Sequence, residues 1–148
     1  MDSEHNDKLK ISVTKLQANI IKDALDIYLR LGIGQFRPAL EKLPQKKLFD
    51  PLWHEDLLLI GKILSNHMID NVDGWQRHLS ISNKDVDIAA KIAWEMYQVI
   101  RNHMAWDAAI KSGIVTDMDS ERNWDKMVSN AYDKPYRITS EPMVEITI

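Results

Sequence analysis

The run VDIAAKIAWEMYQVIRNHMAWDAAIK, residues 86–111, decides the fold. It has the length and spacing of one long helix, expected over about residues 83–111. At about 100° per residue, Ala89, Ile92, Met96, Val99, Ile100 and Ile110 fall on one broad face. His103 lies in the middle of that face, with Asp107 one turn on. Trp94, Tyr97, Arg101 and Ala105 share a second face, roughly opposite, and only a narrow strip (Lys91, Glu95, Gln98, Asn102) is plainly polar. A helix apolar on most of its sides is a central helix, packed by neighbours on two sides. Ser82 with Asp85 three residues later offers an N-terminal cap, and Ser112-Gly113 a C-terminal stop.

Upstream, Thr14 and Gln17 have the spacing of a capping box and open a helix expected over Lys15 to Leu31. Leu16, Ile20, Ile21, Ala24, Leu25, Ile27 and Tyr28 share its apolar face; Asn19, Lys22, Asp23, Asp26 and Arg30 share the other. Gly32 and Gly34 end it. A short helix is expected over Gln35 to Leu43, closed by Pro44, then a polar turn at Gln45 to Lys47. Asp50-Pro51 suits the start of a third helix, with Trp53, Leu57, Ile60, Ile63, Leu64 and Met68 as its apolar face and His67 inside that arc. Asn71 to Ile81 reads as a loop turning at Asp73-Gly74. Beyond the central helix, a loop and a short amphipathic helix with Trp124, Met127 and Val128 are expected.

Both ends of the chain alternate. Leu9, Ile11 and Val13 alternate with Lys10 and Ser12, as do Val144, Ile146 and Ile148 with Glu145 and Thr147, after Pro142. Pairing the two would satisfy both edges. The expected fold is therefore mainly α with a small β element (α+β): a helical body around residues 83–111, closed by paired N- and C-terminal strands. Residues 1–8 read as a flexible arm and 9–148 as one globular domain.

The 148 residues are 45% hydrophobic and 28% charged, enough for a core. A net charge of −3 gives no nucleic-acid footprint, so an anionic ligand requires a local basic pocket. The absence of cysteine excludes disulfides, thiol nucleophiles and thiolate metal sites, and fits a cytosolic protein. Met1 to Lys10 is polar and no apolar stretch follows, so neither a signal peptide nor a membrane span is expected.

Three groups carry candidate chemistry. Arg101 with Trp94 and Tyr97 unites a permanently charged, phosphate-binding fork with two rings one turn away, able to sandwich a base or flank a phosphate. The plainer alternative is core packing, with Arg101 paired to Glu55 or Asp56. Residues 30–37, RLGIGQFR, place glycines before a helix, where backbone N–H groups of Gly32 to Gln35 would meet an anion. It lacks the Walker lysine, follows no strand, and reads equally as a helix cap, with Arg30 in a solvated ion pair to Asp26. His67, His103, Asp70 and Asp107 would make a two-histidine, two-carboxylate metal site for phosphoester hydrolysis, although their spacing matches no known signature. Asp117, Asp119 and Glu121 alternate like a calcium loop, but Arg122 occupies the glycine position; an acid-rich helix start fits better.

Two segments, Ala24 to Phe36 and Ala93 to Trp106, resemble small phage and prophage proteins, and Tyr132-Asp133-Lys134-Pro135 with Ser140-Glu141-Pro142 is similar to their C-terminal tails. The resemblance runs from about Ile11 to the end. It implies a phage protein made in the cytoplasm of a bacterial host, where many such proteins counter host defence, one class by sequestering nucleotide second messengers without cleaving them. Tyr28, Arg30, Gln35, Tyr97, Gln98, Arg101 and His103 carry it, and these are ligand-type residues. The functional expectation is a non-enzymatic binder of a cyclic-oligonucleotide or ADP-ribose-type ligand, with no cofactor, no metal, no nucleic-acid polymer and no membrane partner, in a homodimer or larger homo-oligomer. Arg101 and Arg30 would neutralise phosphate; Tyr97, Trp94 or Trp106 would stack on a base; Gln35, Gln98 and His103 would give specificity, with Tyr28 nearby. The alternatives are a protein–protein inhibitor docking through a Trp and Met patch, and a metal-dependent phosphohydrolase using His67, His103 and Asp107.

Overall fold

The computed structural model of the chain describes residues 9–43, 51–68 and 78–147. The expected arm at 1–8, Pro44 and the turn after it, Asp70 and the Asp73-Gly74 turn lie outside the described residues. Four helices run in the order α1 (Lys15–Gly32), α2 (Phe36–Leu40), α3 (Pro51–Met68) and α4 (Ile88–Lys111), followed by a 3-10 turn at Asn130–Tyr132.

The capping box forms as its spacing requires: Thr14 Oγ1 accepts from Gln17 N, and Gln17 Oε1 accepts from Thr14 N. α1 and α4 run antiparallel. Lys15 meets Asp107 at 2.6 Å at one end. At the other, Gly32 lies so close to Ala90 that a Cβ on it would stand 2.5 Å from the Ala90 Cβ. Between them Leu29, Ile33, Val86, Ala90 and Ala93 form the main core, with Leu25, Trp94 and Tyr97 packed against it. Gly34 takes a left-handed φ of 84° and turns the chain into α2. Pro38 is tolerated in α2 because it falls in the first turn, where its missing N–H has no helical partner.

α4 begins at Ile88, later than the expected position near residue 83. Asp87, not Ser82, is the N-cap, its carboxylate accepting from Ala89 N. Residues 80–86 turn instead, with Asn83 N donating to Ser80 O, Val86 N to Asn83 O and Asp85 N to Asn83 Oδ1, while Ser82 pairs with Ser80. The C-terminal stop is as expected, with Ser112 as C-cap and Gly113 at φ 74°.

Among the described residues no strand forms, so the expected β element is corrected: the fold is helical. Leu9 and Ile11 are exposed and take no ladder partner. The C-terminal tail bonds to α4 instead. Buried Glu95 accepts from Ile138 N and Thr139 N, both at 2.6 Å, and from Thr139 Oγ1 at 2.9 Å. Gln98 donates to Tyr136 O, Asn102 to Ala131 O and Asp133 O, and Trp106 Nε1 to Tyr132 O. The polar strip of α4 is thus a docking strip for an extended segment. It recognises that segment almost wholly through main-chain groups.

The expected helix around Trp124 is also absent. Residues 124–126 turn, Met127 is buried with Trp106 and Ala109, and Trp124 and Val128 stay exposed. Arg122 organises this turn, its guanidinium 4.0 Å over the Trp124 ring, bonded to Met127 O and Ser129 O and paired with Asp133. Nor is residue 117 a helix start: Asp117 Oδ1 accepts from Asp119 N and Ser120 Oγ in a local turn. Among the described residues, α3 packs against α2 and no other helix. Among its described side chains the buried row is Leu57, Gly61 and Ser65, one residue per turn, and Ile60, Ile63 and His67 are exposed; the side chains of Trp53 and Met68 lie outside the description.

Candidate functional site

A cavity of about 530 Å³ opens where three segments meet. The C-terminal half of α1 contributes Asp26 and Arg30, and the turn after it Gln35. α4 contributes Trp94, Tyr97, Gln98 and Arg101, which recur at helical spacing on one side of that helix. The tail contributes Asp133, Lys134 and Tyr136, held in place by the Gln98 and Asn102 contacts to its main chain. Residues 78–81 close one side, anchored by Leu79 N donating to Ile33 O at 2.8 Å. A smaller cavity of about 250 Å³ adjoins it, sharing Arg30, Gln35 and His78.

Asp26 is almost fully buried. Its Oδ1 accepts from Arg30 Nε at 3.0 Å, and Lys42 Nζ stands 2.6 Å from Oδ2, in ionic contact but without the direction of a hydrogen bond. Arg30 also donates to Gln35 Oε1 at 2.6 Å. That contact explains why Gln35, the residue before α2, makes no side-chain cap. Asp133 is paired with Arg122. Both carboxylates lining the cavity are therefore already neutralised by cations. Arg101 is not neutralised in this way: its guanidinium lies 5.0 Å over the Tyr97 ring, and its buried Nε has no hydrogen-bond partner among the described residues. Lys134, on the facing tail, has no ionic partner among them either. Trp94 and Tyr136 meet edge to face at 5.0 Å, so the wall beside these cations is aromatic.

Of the residues expected from sequence to bind ligand, the structure brings Arg30, Gln35, Trp94, Tyr97, Gln98 and Arg101 to this one cavity. It places the other three elsewhere. Trp106 is a core residue, its ring edge-to-face with Tyr132 at 5.8 Å. Tyr28 is exposed on α1, outside the cavity lining. His103 is half-buried on α4, away from the cavity lining. The expected anion nest at Gly32 to Gln35 is corrected too: the N–H groups of Ile33, Gly34 and Gln35 bond to Leu29 O, Leu31 O and Arg30 O, completing the helix end. Arg30 is not a solvated surface ion, because its partner Asp26 is buried. Arg101 does not pair with Glu55 or Asp56, which are exposed on α3, a helix that does not touch α4.

Asp26, His78, Lys134 and Tyr136 line the cavity although periodicity did not select them. Only the resemblance at Tyr132 to Pro135 pointed to this part of the tail. His67 and His103 sit on helices that do not meet, and Asp107 is held by Lys15 and Lys111. Among the described residues no group of histidines and carboxylates is arranged to hold a metal ion, and no helix is long and apolar enough to cross a membrane. In comparison with known proteins, the chain matches no family model, no curated protein and no solved structure.

Proposed function

We propose that this chain binds a phosphorylated, nucleotide-like small molecule in the cavity between α1, α4 and the tail, and holds it without cleaving it. The observation that carries this reading is Arg101. A buried guanidinium N–H without an acceptor costs about 1–3 kcal/mol, and an anion entering the cavity removes that cost. Arg101 and Lys134 then hold the phosphate, Trp94, Tyr97 and Tyr136 offer faces and edges to a base, and Gln98 supplies polar selectivity. Arg30, already matched by Asp26, contributes shape and a hydrogen-bond donor more than net charge.

The cavity's two carboxylates are committed to cations, which supports a binding role for them over one as general base. In the context that the resemblance implies, the cytoplasm of a phage-infected bacterium, such a protein sequesters a nucleotide-derived immune messenger. The test is a thermal-shift panel of nucleotides, cyclic oligonucleotides and ADP-ribose derivatives, with mass spectrometry of each stabilising compound after release. A compound that raises Tm by mass action and is recovered intact is the expected result. Recovery as a cleaved product would refute the non-enzymatic part of the reading, and no shift across the panel would refute the whole.

A further inference from the structure

The tail runs along the cavity and is fastened at two points, one before its cavity-lining residues and one after them. Before them, Asn102 Nδ2 donates to Ala131 O and Asp133 O, and Arg122 pairs with Asp133. After them, Glu95 accepts from Ile138 N, Thr139 N and Thr139 Oγ1. Between the two fastenings Lys134 and Tyr136 line the cavity, and both are exposed. The second fastening is built to release. No described residue from Asp133 onward is buried, so polar contacts rather than a core hold this stretch, which places it at the low-stability end of the fold. Glu95 is itself buried and has no cationic partner among the described residues; the tail's own donors satisfy it. Undocking the tail returns that carboxylate to water and recovers the cost of burying it. The stretch that meets Glu95 is also shaped by its own contacts: Arg137 donates to Thr139 O and Ser140 O, and Thr139 Oγ1 accepts from Glu141 N.

Resting on the binding reading above, we propose that residues 133–139 are a strap that closes on a phosphorylated ligand, and that Glu95, which is outside the cavity lining, is its positioning residue. The docked strap brings Lys134 and Tyr136 to the same cavity as Arg101; the undocked strap takes them away. A phosphate held by Lys134 therefore favours the docked strap, and by linkage the docked strap favours the phosphate by the same factor. One lysine–phosphate contact sets that factor at about tenfold.

The test is hydrogen exchange at the Ile138 and Thr139 amides of the full chain, with and without saturating adenosine monophosphate, beside calorimetric titration of the same compound. Exchange at both amides is expected to slow about tenfold when the compound binds, and Lys134→Ala, a change at an exposed site, is expected to abolish that slowing and weaken binding about tenfold. Glu95→Ala is expected to weaken binding about tenfold too, and adding Lys134→Ala to it to change affinity less than about twofold, because the lysine is already out of place. Should Glu95→Ala fail to fold, the exchange of the wild type and of Lys134→Ala decides the matter. Wild-type protein that takes up no adenosine monophosphate would overturn the binding reading and this inference with it. Binding with unchanged exchange at the two amides, or additive effects of the two substitutions, would overturn the strap alone.

Discussion

Replacing Glu95 by alanine tests how the tail is held. The Glu95 carboxylate is buried and takes three hydrogen bonds, from Ile138 N, Thr139 N and Thr139 Oγ1. In Glu95→Ala the two main-chain N–H groups lose their acceptor, at about 1–3 kcal/mol each, while the hydroxyl can rotate toward another partner. The expected loss is about 2–5 kcal/mol, a large part of the roughly 5–15 kcal/mol that holds a typical domain together. Glu95→Gln keeps one oxygen for the two N–H groups, and its amide N–H donates to the Thr139 hydroxyl. Only the charge assistance is lost, so about 1–2 kcal/mol is expected. Urea denaturation gives the totals, and hydrogen exchange at the Ile138 and Thr139 amides locates them. In Glu95→Ala those amides exchange at least about 30-fold faster, through local opening of the tail. A loss below about 0.5 kcal/mol with unchanged exchange there would refute the account of α4 as the docking strip.

Three other substitutions read separate parts of the molecule. Gly32→Ala brings a Cβ within 2.5 Å of the Ala90 Cβ, so it destabilises by about 1–3 kcal/mol in denaturant melts, although alanine is intrinsically the better helix former. Asp26→Ala leaves Arg30 and Lys42 without their shared carboxylate; both cations reach solvent in part, so a loss of about 1–3 kcal/mol is expected by the same measurement. Trp106→Phe removes the bond to Tyr132 O and costs about 0.5–1.5 kcal/mol, but leaves the affinity for any cavity ligand unchanged in a titration, since Trp106 lies outside the lining.

Local signals in the sequence placed the start of α1 and the stop of α4, missed the start of α4, where Asp87 and not Ser82 is the cap, and said little of the long-range contacts. The Thr14 and Gln17 box set the start of α1 and Ser112-Gly113 the end of α4, because both act within one turn. Periodicity gathered Trp94, Tyr97 and Arg101 on one side of α4, where the cavity lies. The same rule puts Trp106 in line with Asn102, on the tail side, and there it is buried. What periodicity could not tell was which face of α1 turns inward. The buried Asp26 owes its place to Arg30 and to Lys42 in the turn after α2, a pairing that no hydrophobic pattern encodes. Alternation at residues 9–13 and 144–148 reports an extended chain, not its partner. The partner of residues 138–139 is Glu95, a side chain more than forty residues earlier on a helix.

The central claim is that Arg101 is kept for a ligand rather than for the fold, and Arg101→Met tests it with two readouts on one protein. Methionine keeps much of the side-chain volume beside Tyr97 and removes the unpaired donor. The unliganded Tm should stay level or rise, because a buried N–H without an acceptor is gone. The affinity for adenosine monophosphate or ADP-ribose, measured by calorimetric titration beside phosphate-free adenosine, should fall roughly 10- to 100-fold for the phosphorylated compounds only. A variant that melts well below the wild type while binding all three compounds as before would contradict the account and make Arg101 a structural residue.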